Sequence, residues 1–577
     1  MPEMISPAVL ASQKALEGVY TCLDKGQSFR LEAGAGAGKT YSLVKALQYL
    51  IERYHRSMPR HGQKIACITF TNVAKDEILA RTDRSPLLLC ETNHSFCWSV
   101  ISVFQRQLRE LLTEMPDWQE RIVEAEGLGE RAVEYTLGHR SIREQHIYLH
   151  HNDVLPLTIK LMENVKFRRL VAERYPIILI DEYQDTDADW VEAIKKHFLG
   201  QPNSPLFGFF GDHWQKIYGN GCGKLEHPAV HEIGKEANFR SVPAIVDVLN
   251  RMRPDLPQFV VDPKANGQVR IFHTNDWAGE RQTGAHWGGD LPPEVGHQAL
   301  ESVKEILVTD GWDFAPETTK ILMLTHRVLA NEQGYPSLPS LFQYAESFTA
   351  KDHPYIEFFI DELEPSCAAY AERKFGAMFE ALKSRLPNIR KHSDKKAWAD
   401  AMNTLITLRD KGTVGQVVEY LEKIKRPRLP DNIVKREREL REFDQSGGEA
   451  LPNTLLEIEK LHTIQYSEIK ALYAYHSGFS PFETKHGVKG AEFDNVLVVI
   501  GRGWNRYNFG EMLELATMAQ IPSKKQDTFE RNRNLFYVAC SRPKCRLSLL
   551  FTQKLSQSAL NTLERWFGQK HITTLSF

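Results

Sequence analysis

At 577 residues the chain exceeds the size at which one hydrophobic core stops growing, so three or four domains are expected. Its 42% hydrophobic and 25% charged residues are ordinary for a globular protein, and a formal net charge of −2 excludes nucleic-acid binding through overall basicity, leaving only a local basic groove. Eight scattered cysteines without a Cys-x-x-Cys pair argue against a zinc site or disulfide framework, and no signal peptide or run of transmembrane length is evident, so a cytoplasmic protein is expected.

The first element with chemical content is a strand, Phe29-Arg30-Leu31-Glu32, running into Ala33-Gly34-Ala35-Gly36-Ala37-Gly38-Lys39-Thr40. Leu43, Val44, Leu47, Leu50 and Ile51 then recur at helical spacing between Tyr41 and Arg53. Small residues between a strand and a helix let backbone N–H groups turn inward around phosphates, and the helix N-terminus adds its positive end. Lys39 is placed to reach terminal phosphates and the Thr40 hydroxyl to ligate Mg²⁺. Ala33 stands where the strict phosphate-loop pattern has glycine.

Ile65-Ala66-Cys67-Ile68 is the next strand, leading through Thr69-Phe70-Thr71-Asn72 into a helix with Ala74, Ile78 and Leu79. Ser99 to Leu137 reads as mostly helical and charged, and Asp153 either as a contact to Mg²⁺-linked elements or, the commoner role, as the cap of the following helix. Pro176 to Ile180 is continuously apolar, as a central parallel strand should be, and ends in Asp181-Glu182-Tyr183-Gln184-Asp185. Asp181 suits a water-mediated hold on Mg²⁺, and Glu182 suits orientation or deprotonation of an attacking water. Leu206 to Phe210 runs into Gly211-Asp212-His213-Trp214-Gln215, where Gln215 can donate and accept and so suits a γ-phosphate sensor. Residues 274–296 read as a surface excursion, Lys320 to Leu324 as a strand leading to Thr325-His326-Arg327, and 335–478 as helical. In that helical stretch, Phe375 to Leu386, Val417 to Ile424 and Leu455 to Ile464 show helical spacing. The basic runs Lys383 to Lys396 and Lys423 to Arg441 read either as solvated helix faces or as phosphate contacts.

In this order the segments resemble a superfamily 1 helicase of the UvrD/Rep/PcrA type. Thr92-Asn93-His94-Ser95-Phe96 resembles the family's single-strand contact, and Asn238-Phe239-Arg240-Ser241 resembles its Asn-Tyr-Arg-Ser motif. Thr484 to Phe493, containing His486, Lys489, Gly490 and Glu492, resembles Thr-x-His-x-x-Lys-Gly-x-Glu-Phe; Asn534 to Arg542 resembles the last motif. The resemblance implies an α/β fold of two RecA-like P-loop lobes, parallel sheets flanked by helices, with mainly helical insertions in each lobe. The implied division is a first lobe at 1–98 and 170–236, its insertion at 99–169, a second lobe at 237–334 and 479–577, and its insertion at 335–478.

The family's roles carry over residue by residue. ATP and Mg²⁺ are the implied cofactors, held by residues 33–40 and Asp181, with Gln13 at the position that reads adenine, Phe239 stacking on the base, Gly490 beside the nucleotide and Glu492 on the ribose. Arg240 and Arg542 are the implied γ-phosphate fingers. Phe70, Thr92, His94, Tyr218 and His486 are the implied DNA contacts, where stacking contributes about 1–3 kcal/mol per base. Asn220-Gly221 departs from the family's Trp-Arg, removing a stacking ring and a phosphate-binding cation. The implied activity is ATP-driven translocation on single-stranded or partly duplex DNA, 3′ to 5′. A second resemblance is to compact UvrD-like proteins of Gabija-type anti-phage systems, in which such a protein accompanies an OLD-family nuclease. The chain runs 26 residues past Phe551, so an appended nuclease is not expected and cutting would fall to a separate subunit.

Overall fold

The structure is a computed structural model that describes residues 5–136, 139–217, 219–284, 288–323, 330, 332–342, 346–349, 351–382, 389–443, 451–477, 482–484, 492–501 and 507–576. The chain forms two compact units, the first made of residues 1–269, 511–546 and 557–571, the second of 270–510, 547–556 and 572–577. No described helix is long and apolar enough to cross a membrane.

Unit 1 is built on a six-stranded sheet in the order β3-β2-β7-β8-β1-β9, with every pair parallel. The strands are β1 (Phe29–Ala33), β2 (Ile65–Thr69), β3 (Leu88–Thr92), β7 (Ile177–Asp181), β8 (Leu206–Gly211) and β9 (His231–Lys235). β1, β2, β7 and β8 are buried along their whole lengths, the state that continuous apolar runs require of a sheet covered on both faces. Alternate residues feed two cores. Ala66, Ile68, Ile178, Ile180, Phe207 and Phe209 pack on one face with Phe96 of α4 (Asn93–Ile101). Phe29, Leu31, Ile65, Cys67, Leu179 and Phe210 pack on the other with α1 (Pro7–Lys25) and α2 (Lys39–Tyr54). Pairing in parallel aligns the carboxyl ends of β1, β7 and β8, and the polar motifs follow those ends.

The segment expected to be helical from Ser99 to Leu137 differs in part. Strands β4 (Ala132–Tyr135), β5 (Ser141–Ile142) and β6 (His146–Leu149) form a small sheet in the order β4-β6-β5. Val133, Ile147 and Leu149 alternate with half-buried neighbours, a two-residue period too short to stand out beside the charged helices before it. Asp153 caps its helix as expected: it accepts from the His150 N–H at 2.8 Å and pairs with Arg140 at 2.8 Å.

Residues 237–269 and 511–546 belong to the compact unit of the phosphate loop, and the two compact units divide at 269–270. The pair β10 (Ala237–Asn238) and β11 (Phe259–Val260), the Pro243–Met252 helix and the Gln526–Cys540 helix all lie in unit 1.

Unit 2 carries a second six-stranded sheet, β14-β13-β15-β16-β12-β17. Its strands are β12 (Gln268–His273), β13 (Thr319–Met323), β14 (Phe482–Thr484), β15 (Phe493–Ile500), β16 (Pro543–Phe551) and β17 (Ile572–Thr574). Residues 325–327 lie outside the described residues. The excursion at 274–296 is held against this sheet, since Thr274 Oγ1 donates to the Phe551 carbonyl at 3.2 Å and Arg281 Nη1 to the Thr552 carbonyl at 2.9 Å. Helices across 335–478 enclose a separate core that includes Tyr355, Phe359, Leu405, Val417, Leu461 and Ile469. The run from Lys423 to Arg441 behaves as a solvated helix face: Arg441 pairs with Glu422, and Arg436 and Lys435 with Glu439. Residues 383–388 lie outside the described residues.

Inside the helical core, Arg409 Nε donates to Glu364 Oε1 at 2.7 Å, and the buried Tyr466 hydroxyl donates to the same oxygen at 2.9 Å. Removing one partner leaves the other charge buried. Arg409→Leu should therefore destabilise the helical region by about 3–5 kcal/mol. Urea unfolding followed by the Trp398 region's fluorescence would register the change, and Glu364→Gln in the same background should recover part of it.

Candidate functional site

The phosphate loop starts where β1 stops. Ala33 is the last residue of β1, paired in register with Lys235, so a β-carbon is accommodated at the position where the strict pattern has glycine. Gly36 and Gly38 carry the turn with φ of 73° and 70°. A β-carbon on Gly36 would lie 2.8 Å from both Arg240 Cβ and Asn238 Oδ1, so only glycine fits. Helix α2 begins at Lys39 with Gly38 as its N-cap and no side-chain cap, leaving its first N–H groups directed toward the loop. Thr40 is half-buried in that first turn.

The loop is braced by residues far away in sequence. The Phe239 N–H donates to the Gly36 carbonyl at 2.8 Å, and Asn238 Nδ2 and Gln258 Nε2 each donate to the Ala35 carbonyl at 3.1 Å. Gln258 has no sequence signal that would have pointed to it. Its part is to hold the loop's carbonyl from the position just before β11.

From Lys39 a continuous polar chain crosses the carboxyl edge of the sheet. Lys39 Nζ donates to Glu182 Oε2 at 2.7 Å, and Gln184 Nε2 donates to the same oxygen at 2.6 Å. Gln184 Oε1 accepts from the Asp212 N–H at 3.0 Å, and Gln215 Nε2 donates to Asp212 Oδ2 at 2.8 Å. Lys39, Glu182 and Gln215 are thus brought together as the motifs implied, and Gln184 is the link that motif reading passed over. Burial works against the Lys39 charge, but Glu182 and Asp181 outweigh it and hold its pKa above the ordinary lysine value. Asp181 is buried at the end of β7. Glu182 adopts φ 48°, the left-handed region, at a cost of about 1–3 kcal/mol for a residue with a side chain.

Beneath this chain lies a buried ionic anchor. Arg253 donates to Asp212 Oδ1 at 2.6 Å and to Glu32 Oε1 at 3.1 Å. Glu32 also accepts from the Tyr183 hydroxyl at 2.7 Å and the His213 N–H at 2.9 Å. Burial pushes the Glu32 carboxyl up, but His213, Tyr183 and Arg253 overcome it and hold the group well below the usual carboxylate range. Glu32, Asp212 and His213 converge as metal ligands might, yet the Arg253 guanidinium already supplies the positive charge there.

Trp214 points into this interior. The Arg533 guanidinium lies 3.9 Å from its ring centroid, and Tyr537 meets it edge-on at 5.3 Å. Asn534 Nδ2 donates to the carbonyls of His213 and Lys216 at 3.0 and 3.2 Å, so the Gln526–Cys540 helix is fastened to the Gln215 turn. At the end of that helix Arg240 Nη1 donates to the Ser541 carbonyl at 3.0 Å, next to the buried Arg542. Both arginines therefore belong to the unit that holds Lys39. Phe239 presents an exposed ring.

Gln13 is exposed midway along α1 with no hydrogen bond to residues 33–40. Glu492 is exposed in unit 2, just before β15. Tyr218, His486 and Gly490 lie outside the described residues.

On the nucleic-acid side Phe70 is exposed in the turn after β2. Thr92 is the N-cap residue of α4, and its hydroxyl donates to Ser95 Oγ at 3.0 Å. His94 stacks on His151 with centroids 3.5 Å apart; burial and that second imidazole lower its pKa to about 4. The Asn220-Gly221 departure has a steric reason. A β-carbon on Gly221 would lie 2.3 Å from the Gln184 carbonyl oxygen, and Gly221 bridges to Asp187 while the Asn220 carbonyl accepts from the Ala188 N–H at 3.0 Å. A cation at this position has no room.

Glu32→Ala would leave buried Arg253 with Asp212 alone and take the acceptor from the Tyr183 hydroxyl and the His213 N–H, and is expected to lower the stability of unit 1 by about 3–5 kcal/mol, measured by thermal unfolding. Because the folded-state pKa lies below the ordinary value of 4.5, this stabilisation is complete above that value and is lost as the pH falls beneath it. The difference in melting temperature between wild type and variant should therefore shrink in acid.

Residues 19–220 match the model of an AAA domain, and residues 157–554 match that of the UvrD-like helicase C-terminal domain. The Gabija protein GajB of Bacillus cereus (strain HuB5-5) is 22% identical, covering 96% of this chain and 97% of that protein. The ATP-dependent DNA helicase Rep of Buchnera aphidicola is 23% identical over 38% of this chain and 40% of its own length. A probable DNA helicase II homologue of Mycoplasma capricolum is 23% identical over 44% and 41%. With the C-terminal model spanning well over half of the sequence and the phosphate loop, acidic strand end and arginine motifs assembled in one unit, the chain belongs to the UvrD-like helicases.

Proposed function

We propose that the protein is an ATP-dependent translocase that moves 3′ to 5′ on single-stranded DNA. The observation that carries this reading is the polar chain from Lys39 through Glu182, Gln184 and Asp212 to Gln215, because it joins a phosphate-binding lysine to a sensor through the residue suited to activate water. The donor set fits a nucleotide: an uncapped helix start, two left-handed glycines and a lysine held ready by a carboxylate. Thr40 and Asp181 would hold Mg²⁺, which when bound neutralises charge on the transferred phosphoryl group.

Lys39 exchanges Glu182 for the phosphates, and the freed Glu182 carboxylate orients a water and takes its proton. Gln215 changes partners with the state of the terminal phosphate and passes the change, through Asp212 and the Asn534 bonds, to the Gln526–Cys540 helix. Arg240 and Arg542 stabilise charge that develops in the transition state. Residues 237–334 and 479–577 act as the second lobe of the motor, with 335–478 as its insertion. Phe70, Thr92 and His94 line the path of the strand.

A second reading has a specific observation in its favour. GajB aligns along nearly the whole of both chains, and Gly221 has no space for the cation expected of a processive motor. In that reading the protein is a DNA-responsive ATPase that activates a separate, OLD-type nuclease, and its own unwinding is weak.

Turnover of ATP should rise when single-stranded DNA is added; an unchanged rate would refute both readings. Opening of a 3′-tailed fork by the protein alone supports the translocase, whereas closed forks together with DNA-stimulated turnover support the effector. Lys39→Ala should abolish turnover. Arg240→Ala should lower kcat by about 10³-fold or more with little change in nucleotide affinity. Equal losses in both would remove Arg240 from the transition state.

A further inference from the structure

Lys235, the last residue of β9, is fully buried, and its ammonium donates to the Gly38 carbonyl at 3.0 Å and to Ser42 Oγ at 2.7 Å. Both acceptors are neutral. Among the described residues no carboxylate lies within ion-pair distance of it, in contrast to Lys39, which has Glu182. None of the ionisable groups on the surrounding elements forms an ion pair with Lys235 among the described residues. On β1, Glu32 is held by Arg253 and His213; on β9 itself, Glu232 pairs with Arg30 at 2.6 Å. α2 contributes Lys39, Tyr41 and Lys45, α1 contributes Lys14, Glu17, Asp24 and Lys25, and the chain beside Lys235 contributes His231, Glu236 and Arg240.

Two rings complete the surroundings. The Lys235 ammonium sits 5.8 Å from the centroids of both Tyr41 and Phe239, and a β-carbon on Gly38 would meet Lys235 Nζ, Phe239 Cδ2 and Tyr41 Cβ at 3.6, 3.7 and 3.8 Å. The lysine and both rings therefore converge where the phosphate loop enters α2. Tyr41 and Phe239 are half-exposed and open this place to solvent. Burying an ammonium without a counter-charge is costly, and two ring faces offset only part of that cost. Desolvation alone draws the pKa of Lys235 down to about 8.

We infer that Lys235 is a second cation of the nucleotide site, whose charge is completed by the phosphates of a nucleotide bound at residues 33–40. It is a positioning and affinity residue: it holds the first turn of α2 through Gly38 and Ser42 and attracts the nucleotide's anionic phosphates. The inference rests on the reading of residues 33–40 as a nucleotide site. An approaching polyphosphate favours the protonated form, so binding at pH values above about 8 draws a proton onto Lys235.

The test is calorimetric titration of the full-length wild-type protein with MgADP and with adenosine, at pH 7 and pH 9, in two buffers of different ionisation enthalpy. Wild type should take up most of one proton per ADP at pH 9 and almost none at pH 7, with affinity falling as the pH rises through 8. Lys235→Met should weaken ADP about tenfold or more at pH 7, leave adenosine binding nearly unchanged and abolish the uptake. Lys235→Arg should restore ADP affinity, with no uptake at either pH. ADP binding by wild type without proton uptake at pH 9, or an undiminished uptake in Lys235→Met, would overturn the role of Lys235 while leaving the nucleotide site standing. Failure of wild type to bind ADP at all would overturn the nucleotide site itself.

Discussion

The ion pair between Lys39 and Glu182 is the contact on which the candidate site turns, because it neutralises a lysine in the interior while keeping that lysine available. A buried ammonium needs a partner, and a carboxylate on a strained backbone is one that can be given up when a better anion arrives. Gln184 holds the same carboxylate oxygen from the other side and reaches the backbone of Asp212, so direct hydrogen bonds connect Lys39 to Gln215. Glu182, Gln184, Asp212 and Gln215 stand just beyond the carboxyl ends of the parallel strands β7 and β8, and Lys39 opens the helix that follows β1.

What keeps that chain in place is buried below it. Arg253 joins Glu32 on β1 to Asp212 after β8, and Trp214 is clasped between Arg533, Arg253 and Tyr537. The same region of sequence that supplies Arg253 also supplies Asn238 and Gln258, which brace the phosphate loop by its Ala35 carbonyl. This is why residues 237–269 and 511–546 are compact with the first sheet: their polar groups find partners there. The price is paid at Gly221, where the backbone of Gln184 comes so close that no side chain fits and the cation common in the family is excluded.

The helical region of unit 2 follows a different rule. Its core is apolar and large, with one bidentate Arg409–Glu364 pair inside it, and its basic helix faces are matched by acidic neighbours. That arrangement accounts for a strongly charged sequence with almost no net charge.

Much of this was legible in the residues themselves. A strand, a small-residue turn with Lys39 and Thr40, and a helix of period 3.6 specify one another locally, so β1, the loop and α2 follow from neighbours in sequence. The apolar run ending at Asp181 and Glu182 is likewise a local statement, and the ordered motifs led to the family. Partnership across long separations could not be read. Gln258, Arg253 and Lys235 carry no motif, and their roles arise only because the parallel sheet sets β9 beside β1 and the chain after it against the loop. The small β4-β6-β5 sheet escaped notice for a related reason, since pairing between separated strands, rather than local propensity, stabilises so short a pattern. Sequence determined which groups could do chemistry with a phosphate; tertiary structure decided which of them share a charge, because a buried ion is costly unless the fold sets an opposite charge or polar group beside it.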